Sequence, residues 1–242
     1  MKKTLASIIV FSIILGSSAI AKEHGEIRWN YDEYGPKHWC NFSATCKDGK
    51  AQSPIDIQTK STIPLKPENT LILNENVNVH ASVVDNGHAI QINTANAGKL
   101  TINGKDYNLV QFHLHGKSEE KINAKQYDLV AHMVHKSEDG NLSVVAVLFK
   151  QGKQENPVLS KVISNVGSNI EINPEDLLPK NTDHYYHFMG SLTTPPCTEN
   201  VNWYVLKDVQ SVSKAQLKAI RKYYNHNYRP VQPLNGRDVE AR

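Results

Sequence analysis

Four of the eleven histidines of this chain lie between residues 111 and 135, in the stretch QFHLHGKSEEKINAKQYDLVAHMVH. His113 and His115 are separated by one residue, so an extended segment projects both imidazoles from the same face of a strand. His132 and His135 are an odd number of residues apart and therefore point to opposite faces, so only one of them can join the pair. Three neutral imidazoles without a nearby cysteine are typical ligands of an open catalytic zinc site.

Two neighbouring strands are needed to position these side chains. Residues 111–115 and 127–135 both have the pattern of strands, and the polar connection between them is short enough for an antiparallel pair. A lone histidine on a strand is usually an ordinary surface or core residue. Two imidazoles on one buried face are costly unless something binds them, so the pair favours metal binding.

Strand patterns dominate the rest of the chain. Runs rich in β-branched residues, such as SVVDNGHAIQINTA, KLTINGKDYNLVQFHLH and NLSVVAVLFKQG, are interrupted by the turn dipeptides NG and DG. Helical spacing is found in ENPVLSKVISNV and in SKAQLKAIRKYY, where Ser213 and Gln216 have capping-box spacing. No linker, repeat or low-complexity tract divides residues 22–242. We therefore predict one mainly β domain of mixed α/β content with peripheral helices.

The first 21 residues have the pattern of a signal peptide. Lys2 and Lys3 precede the apolar run ASIIVFSIILGSSAIA, which ends in an A-x-A sequence at Ala21. The run is too short to span a bilayer as a helix, so we predict cleavage after Ala21, export to the periplasm or beyond, and no membrane attachment afterwards. Removing Lys2 and Lys3 from the 27 basic residues leaves 25 against 24 acidic ones, a charge that indicates no nucleic-acid partner.

Three cysteines in an exported chain allow one disulfide and leave one thiol over. Counting alone leaves three arrangements open. Cys46 with Cys197 would close a loop of about 150 residues, whereas Cys40 with Cys46 would form a local bridge. The third arrangement is an intermolecular bond through Cys40.

Three further motifs could belong to the same site as the histidines. The segment GSLTTPPCTENVNW, residues 190–203, holds two threonine hydroxyls on a loop that paired prolines make rigid, as in the wall of a site. His88 follows a tight Asn-Gly step, where an imidazole that reaches solvent titrates near neutral pH, although alone it would be an ordinary turn histidine. The run Ser118-Glu119-Glu120 likewise has the composition of a solvated turn.

Together these pieces resemble the α-class carbonic anhydrases, and in particular the exported bacterial members. The resemblance extends from about Trp29 to Arg237, and its pieces occur in family order: GPKHW, QSPIDI, NGHAIQI, QFHLH, the SE of KSEE, AHMVH, GSLTTPPC, VNW and RPVQPLN. It implies a single domain with a large, twisted, mostly antiparallel central sheet, short peripheral helices and a conical zinc cavity. The implied reaction is the reversible hydration of carbon dioxide to bicarbonate and a proton by zinc-bound hydroxide.

The resemblance also assigns roles to residues of this chain. The implied Zn²⁺ ligands are His113, His115 and His132. Thr193 would accept a hydrogen bond from the hydroxide while donating its own to Glu119, because a carboxylate can only accept. His88 would be the proton shuttle, since a group with a pKa near 7 can pass a proton to buffer. The implied disulfide joins Cys46 to Cys197, which leaves Cys40 as a feature of this chain.

The implied substrate cavity has two sides. Thr194 matches the position that contacts bicarbonate. The apolar side, for carbon dioxide, comprises Val134, Val144, Leu192, Val201 and Trp203, and the polar side comprises Tyr31, Asn86, His88 and Gln111. Relatives of this type are inhibited by anions and sulfonamides and often form homodimers.

The main departure from the family is Val130, two residues before the third implied ligand, where relatives usually have a glutamate that accepts a hydrogen bond from that histidine. Valine cannot accept one, so we predict that His132 lacks this support and that zinc is held more loosely than in relatives. Glu120, where relatives often have His or Asn, and Gly236, where Ala is common, are milder departures that we expect to touch no ligand.

Two other functions fit part of the pattern. A catalytically silent, carbonic-anhydrase-like binding module typically lacks a zinc ligand or a gate residue, whereas this chain keeps all three histidines with Glu119 and Thr193. A zinc esterase would use the same nucleophile. The predicted apolar pocket has no charge to position an ester, so we expect esterase activity only as a side reaction.

Overall fold

The structure is a computed structural model that describes residues 28–74 and 76–242. The predicted signal peptide, residues 1–21, lies outside the described residues. The strands of the described part are β1 Asp56–Ile57, β2 Ile63–Pro64, β3 Leu71–Asn74, β4 Val79–Asp85, β5 Ile90–Thr94, β6 Lys99–Ile102, β7 Lys105–His115, β8 Lys121–Ile122, β9 Lys125–Gln126, β10 Leu129–Ser137, β11 Leu142–Gly152, β12 Asn169–Ile172, β13 Tyr185–Ser191, β14 Glu199–Leu206, β15 Gln210–Ser213 and β16 Glu240–Ala241. The helices are α1 Thr45–Asp48, α2 Pro157–Ile163 and α3 Lys214–Tyr223, together with 3₁₀ turns at Pro36–Asn41, Thr59–Ser61, Pro67–Asn69 and Pro174–Leu177.

Thirteen strands form one sheet in the order β12-β4-β5-β7-β10-β11-β14-β13-β16-β2, with β6 beside β7, β3 beside β6 and β15 beside β11. Most of its pairings are antiparallel; the exceptions are β11 with β14, β11 with β15, and β16 with β2. The short strands β1, β8 and β9 form a second sheet. The predicted mainly β fold, with a large and mostly antiparallel sheet, is confirmed.

The two faces of the central strands face different surroundings. Phe112 and Leu114 of β7 lie, with Met133 of β10, in a large apolar cluster that also contains side chains of α2 and α3. The alternate residues Val130 and Val134 of β10 belong to a second apolar cluster on the opposite face. Strand β10 is buried on both faces, so its sequence is a nearly continuous apolar run in which His132 is conspicuous.

Helices α2 and α3 pack on one face of the sheet, and the predicted capping box is present. The Ser213 hydroxyl accepts from the backbone N–H of Gln216, and the Gln216 side chain accepts from the backbone N–H of Ser213. Gln216 also donates to the Asn156 carbonyl oxygen at 2.7 Å, which ties α3 to the start of α2. No helix among the described residues is long and apolar enough to span a membrane.

A disulfide joins Cys46 to Cys197, the pairing that the resemblance implied, and the Cys40 thiol is exposed and free. The backbone N–H of Cys197 donates to the Thr194 carbonyl oxygen at 2.8 Å. The Ser43 hydroxyl donates to the Pro196 carbonyl oxygen at 2.9 Å. The disulfide therefore anchors the loop of residues 192–198 to the N-terminal part of the described chain.

Replacing Cys46 by serine should lower the free energy of unfolding. The disulfide closes a sequence separation of 151 residues, and a chain-entropy estimate gives a loss of about 4–5 kcal/mol. The denaturation midpoint in urea, measured for Cys46→Ser and for the wild type with and without reductant, checks this. Cys40→Ser, which removes the exposed thiol, is the matched control and should leave the midpoint unchanged. An equal midpoint for all the proteins would contradict the prediction.

Candidate metal centre

The register of two antiparallel strands brings three histidines together. His132 of β10 lies directly opposite His113 of β7, and His115 is two residues further along β7. The ring centroids of the three imidazoles are 4.7 to 5.5 Å apart. One nitrogen of each ring lies within 4.8 Å of the other two. His135, the fourth histidine of the stretch, is outside this group, and its Nδ1 lies 3.0 Å from the Met133 carbonyl oxygen.

The second nitrogen of each ring is held by an acceptor. Nδ1 of His113 lies 2.9 Å from Oε1 of Gln111, and Nδ1 of His115 contacts the backbone carbonyl oxygen of Asn227. Nε2 of His132 lies 3.2 Å from Oε2 of Glu120. Because a carbonyl or carboxylate oxygen can only accept, each contacting nitrogen carries the proton and the other keeps its lone pair. The lone pairs are therefore on Nε2 of His113 and His115 and on Nδ1 of His132.

One of these nitrogens is buried without a hydrogen bond. Nε2 of His115 has no hydrogen-bond partner among the described residues. A buried polar atom without a partner costs free energy, and a metal ion would satisfy it. Three converging imidazole nitrogens, with their other nitrogens fixed by acceptors, match the ligand set of a catalytic zinc site. The residues present therefore fit a zinc ion.

Burial keeps two of the three imidazoles neutral, as metal ligation requires. Burial, followed by the charge of His132, lowers the pKa of His113 to about 3. The same two causes lower the pKa of His115 well below its ordinary value. Burial also opposes the charged form of His132, but Glu120 and then Glu119 outweigh it and raise the pKa of His132 above 6.5. A cation at this point is thus favoured by two buried carboxylates.

The expectation that His132 lacks an acceptor, and that Glu120 touches no ligand, is wrong. Nε2 of His132 is 3.0 Å from Oε1 of Glu120 as well as 3.2 Å from Oε2. Val130 offers no acceptor, but the loop before β8 supplies one from another direction. The sequence-based prediction failed because it considered only the position two residues earlier on the same strand. The predicted looser binding of zinc consequently loses its physical basis.

Glu119 is buried between the histidines and the backbone of Arg229. Its Oε1 accepts from the backbone N–H of Arg229 at 2.6 Å, and its Oε2 lies 3.5 Å from Nε2 of His115. Burial raises the pKa of Glu119 to about 7, while the nearby Thr193 hydroxyl is among the groups that lower it. The Arg229 guanidinium donates to Oε1 of Gln52 and to the Ser53 carbonyl oxygen, both at 2.8 Å. Arg229 was not predicted as a site residue.

A cavity of about 220 Å³ opens over the three histidines. The predicted site residues that line it are Tyr31, Asn86, His88, Gln111, His113, His115, His132, Val134, Val144, Leu192, Thr193, Thr194 and Trp203. Two predicted residues do not line it. Glu119 is buried, and Val201, which is 1% exposed, packs into the apolar cluster that contains Trp203. The lining residues that the sequence did not predict are Trp29, Ala89 and Gln91.

His88 stacks on Trp29, with ring centroids 3.7 Å apart and planes inclined by 12°. Its backbone N–H donates to Oδ1 of Asn86 at 2.9 Å, and its carbonyl oxygen accepts from Nδ2 of Asn227 at 3.1 Å. Burial, followed by the charge of Arg28, lowers the pKa of His88 below 6.5. The contact with Trp29 was not predicted, because no local pattern links residues so far apart in sequence.

Comparisons with known proteins identify the same family over most of the chain. The family model for eukaryotic-type carbonic anhydrase matches residues 34–242. A carbonic anhydrase of Neisseria gonorrhoeae is 38% identical over 253 aligned positions, which span 98% of this chain and 97% of that protein. The α-carbonic anhydrase of Photobacterium profundum superposes with a TM-score of 0.81 at 41% identity, covering 88% of this chain and all of that one.

A second solved structure, the α-carbonic anhydrase of Thermovibrio ammonificans in complex with the inhibitor sulfanilamide, has a TM-score of 0.82 at 41% identity. It covers 89% of this chain and 100% of its own. The family match, the identity to bacterial relatives and the fold therefore agree over nearly all of the described residues. The chain belongs to the α-class carbonic anhydrases of bacterial type.

Proposed function

We propose that this enzyme hydrates carbon dioxide reversibly to bicarbonate and a proton, with zinc held by His113, His115 and His132. The observation that carries the proposal is the convergence of three imidazole lone pairs at a cavity. When bound there, zinc would supply a hydroxide nucleophile at neutral pH by lowering the pKa of a coordinated water to about 7.

Thr193 orients the nucleophile in this proposal. Its side chain is 6% exposed and lines the cavity, while Glu119 is buried behind it. Glu119 can only accept when ionised, so the Thr193 hydroxyl donates its single proton to that carboxylate. The oxygen lone pairs of Thr193 are then available to a proton-bearing group in the cavity. An anion without a proton would meet those lone pairs and be disfavoured.

The two sides of the cavity suit the two states of the substrate. Val134, Val144, Leu192 and Trp203 offer apolar surface to uncharged carbon dioxide, and Val201 supports them from within the apolar cluster. Thr194 contacts bicarbonate, and Tyr31, Asn86 and Gln111 form the polar wall. Because sulfanilamide binds the relative from Thermovibrio ammonificans, we propose that sulfonamides and small anions also occupy this cavity.

His88 serves as the proton shuttle in this proposal. It lines the cavity and is partly exposed, and its buried Nδ1 has no hydrogen-bond partner among the described residues. An imidazole in this position can accept a proton released in the cavity and pass it to buffer. Its lowered pKa keeps it neutral, and so able to accept, at a pH below its ordinary range.

The disulfide supports the proposed compartment. A bond between Cys46 and Cys197 persists in an oxidising environment such as the periplasm or the exterior. We propose that residues 1–21 are removed as a signal peptide and that residues 22–242 act as one exported domain.

Removing one histidine of the triad should abolish zinc binding. For His115→Ala we expect zinc content to fall from about one ion per chain to near zero, and carbon dioxide hydration to fall with it, because two imidazoles do not complete the site. Elemental analysis and stopped-flow hydration on the same sample measure both. His135→Gln is the matched control, since His135 is equally buried but lies outside the triad. A wild type with full zinc and no hydration would favour the silent binding module instead.

Replacing Thr193 by valine, which has nearly the same shape, should lower kcat/KM for carbon dioxide hydration by about 10²-fold, because the group that orients the nucleophile is lost. Stopped-flow kinetics at equal zinc content measure the effect. Thr193→Ser keeps the hydroxyl and should retain most of the activity. If valine and serine variants were equally active, Thr193 would have no orienting role.

His88→Ala should lower kcat in dilute buffer by about 10- to 100-fold and leave kcat/KM unchanged, because proton transfer follows the hydration step. Added imidazole should restore the rate. The lowered pKa of His88 also has a consequence for pH: in dilute buffer, the wild-type kcat should fall on acidification with a midpoint below 6.5. His184→Ala, at an exposed histidine outside the cavity, is the control. A kcat that is insensitive to His88→Ala would refute the shuttle.

A further inference from the structure

The third histidine of the triad is supported from a loop and not from its own strand. We infer that Glu120 is the positioning residue for His132 and sets the orientation and the tautomer in which this ring meets a metal ion. The inference rests on the proposed zinc site. It concerns a residue that contacts neither substrate nor cavity, because Glu120 is fully buried behind the ring.

The contact has the geometry of a charge-assisted hydrogen bond. Nε2 of His132 donates to Oε2 of Glu120 at 3.2 Å, while Oε1 lies 3.0 Å from the same nitrogen without a hydrogen bond of its own in the described part of the chain, and both side chains are at most 1% exposed. Because the carboxylate accepts, the proton of His132 is on Nε2 and the lone pair is on Nδ1. Nδ1 faces the other two histidines and lies 3.8 Å from Oε2 of Glu119. One imidazole thus separates two buried carboxylates.

The loop that carries Glu120 is fixed by its own hydrogen bonds. The Ser118 hydroxyl donates to the Glu120 carbonyl oxygen at 2.7 Å and accepts from the backbone N–H of Tyr127 at 2.8 Å. The next backbone N–H, that of Lys121, donates to the Ile55 carbonyl oxygen at 3.1 Å. A side chain on such a loop can hold a ring as rigidly as one on a strand.

No acceptor on β10 competes for this role. Val130 lies on the same strand face as His132, is fully buried and belongs to the apolar cluster that also contains Val134. Burying a carboxylate is costly unless it is paired. The contact with His132 balances that cost for Glu120. A glutamate at residue 130 would add a third buried carboxylate beside Glu119 and Glu120 and increase the repulsion between like charges.

Glu120→Gln should accelerate the loss of zinc. The amide keeps the volume of the side chain but removes its charge, and loss of such a support typically costs 10- to 100-fold in metal affinity. The zinc-loaded mature enzyme, residues 22–242, is mixed with an excess of chelator, and the rate of zinc release is followed. We expect release to be 10- to 100-fold faster than for the wild type. Glu120→Asp, which keeps the charge but withdraws the oxygens by one methylene, should also release zinc faster.

Glu240→Gln is the matched control. Glu240 is also a buried carboxylate in contact with a buried histidine, with Oε2 3.2 Å from Nδ1 of His187, but it is remote from the triad in the sheet. The rate of zinc release from Glu240→Gln should stay within twofold of the wild-type rate. A general loosening of the fold would accelerate release in both variants, whereas a positioning role accelerates it only at Glu120.

An NMR signal and a rescuing substitution distinguish a positioning role of Glu120 from a role in packing alone. In the zinc-loaded wild type, the Nε2 proton of His132 should give a downfield, slowly exchanging NMR resonance that moves upfield in Glu120→Gln. Adding Val130→Glu to that variant should slow zinc release again, because a charged acceptor returns from the strand. In the wild-type background the same substitution should not slow release.

Release from Glu120→Gln within twofold of the wild type, with the His132 resonance unmoved, would overturn the inference alone. A wild type that binds no zinc would overturn the proposed metal centre, and the inference with it. The zinc content of the wild type distinguishes these two failures.

Discussion

The structure depends on one constraint: three buried imidazoles must direct their lone pairs to one point while their remaining nitrogens find acceptors. The first half of the constraint is met by strand register, because His132 lies opposite His113 and the alternation of β7 places His115 on the same face. For the second half, Gln111 of β7 supplies one acceptor, and the other two come from outside this strand pair. A backbone carbonyl at Asn227 and a carboxylate at Glu120 supply these two.

Those acceptors explain why distant segments converge beneath the cavity. Asn227 contacts His115 through its carbonyl oxygen, while its side-chain amide donates to the carbonyl oxygens of His88 and Leu114. Two residues later, the backbone of Arg229 donates to Glu119, and its guanidinium reaches the carbonyl oxygens of Ser53 and Cys46. Cys46 is itself bonded to Cys197, near the end of the loop of residues 192–198 that carries Thr193 and Thr194. The C-terminal segment therefore couples the floor of the site to the disulfide.

The sequence predicted features that depend on neighbouring residues better than contacts between residues far apart in the chain. The alternation of His113 and His115, the strands that carry them and the capping box of α3 follow from local periodicity, and all are present. Spacing alone could not choose between His132 and His135, and counting cysteines could not pair them; resemblance to a family was needed for both. The supports from Asn227 and Arg229 were missed because they bridge 112 and 110 residues, and such contacts leave no periodic trace in a sequence.

Val130 shows that the acceptor for His132 need not come from a particular position in the sequence. A histidine that presents one nitrogen to a cation must have its other N–H satisfied, since an unpaired buried donor costs about 1–3 kcal/mol. Any oxygen atom at hydrogen-bond distance satisfies this N–H, whichever residue carries it. A strand residue two positions earlier could meet it along the sheet, whereas Oε2 of Glu120 meets it from the loop at 3.2 Å. Valine at residue 130 is therefore compatible with a fully supported ligand, because Glu120 reaches the same ring from the loop.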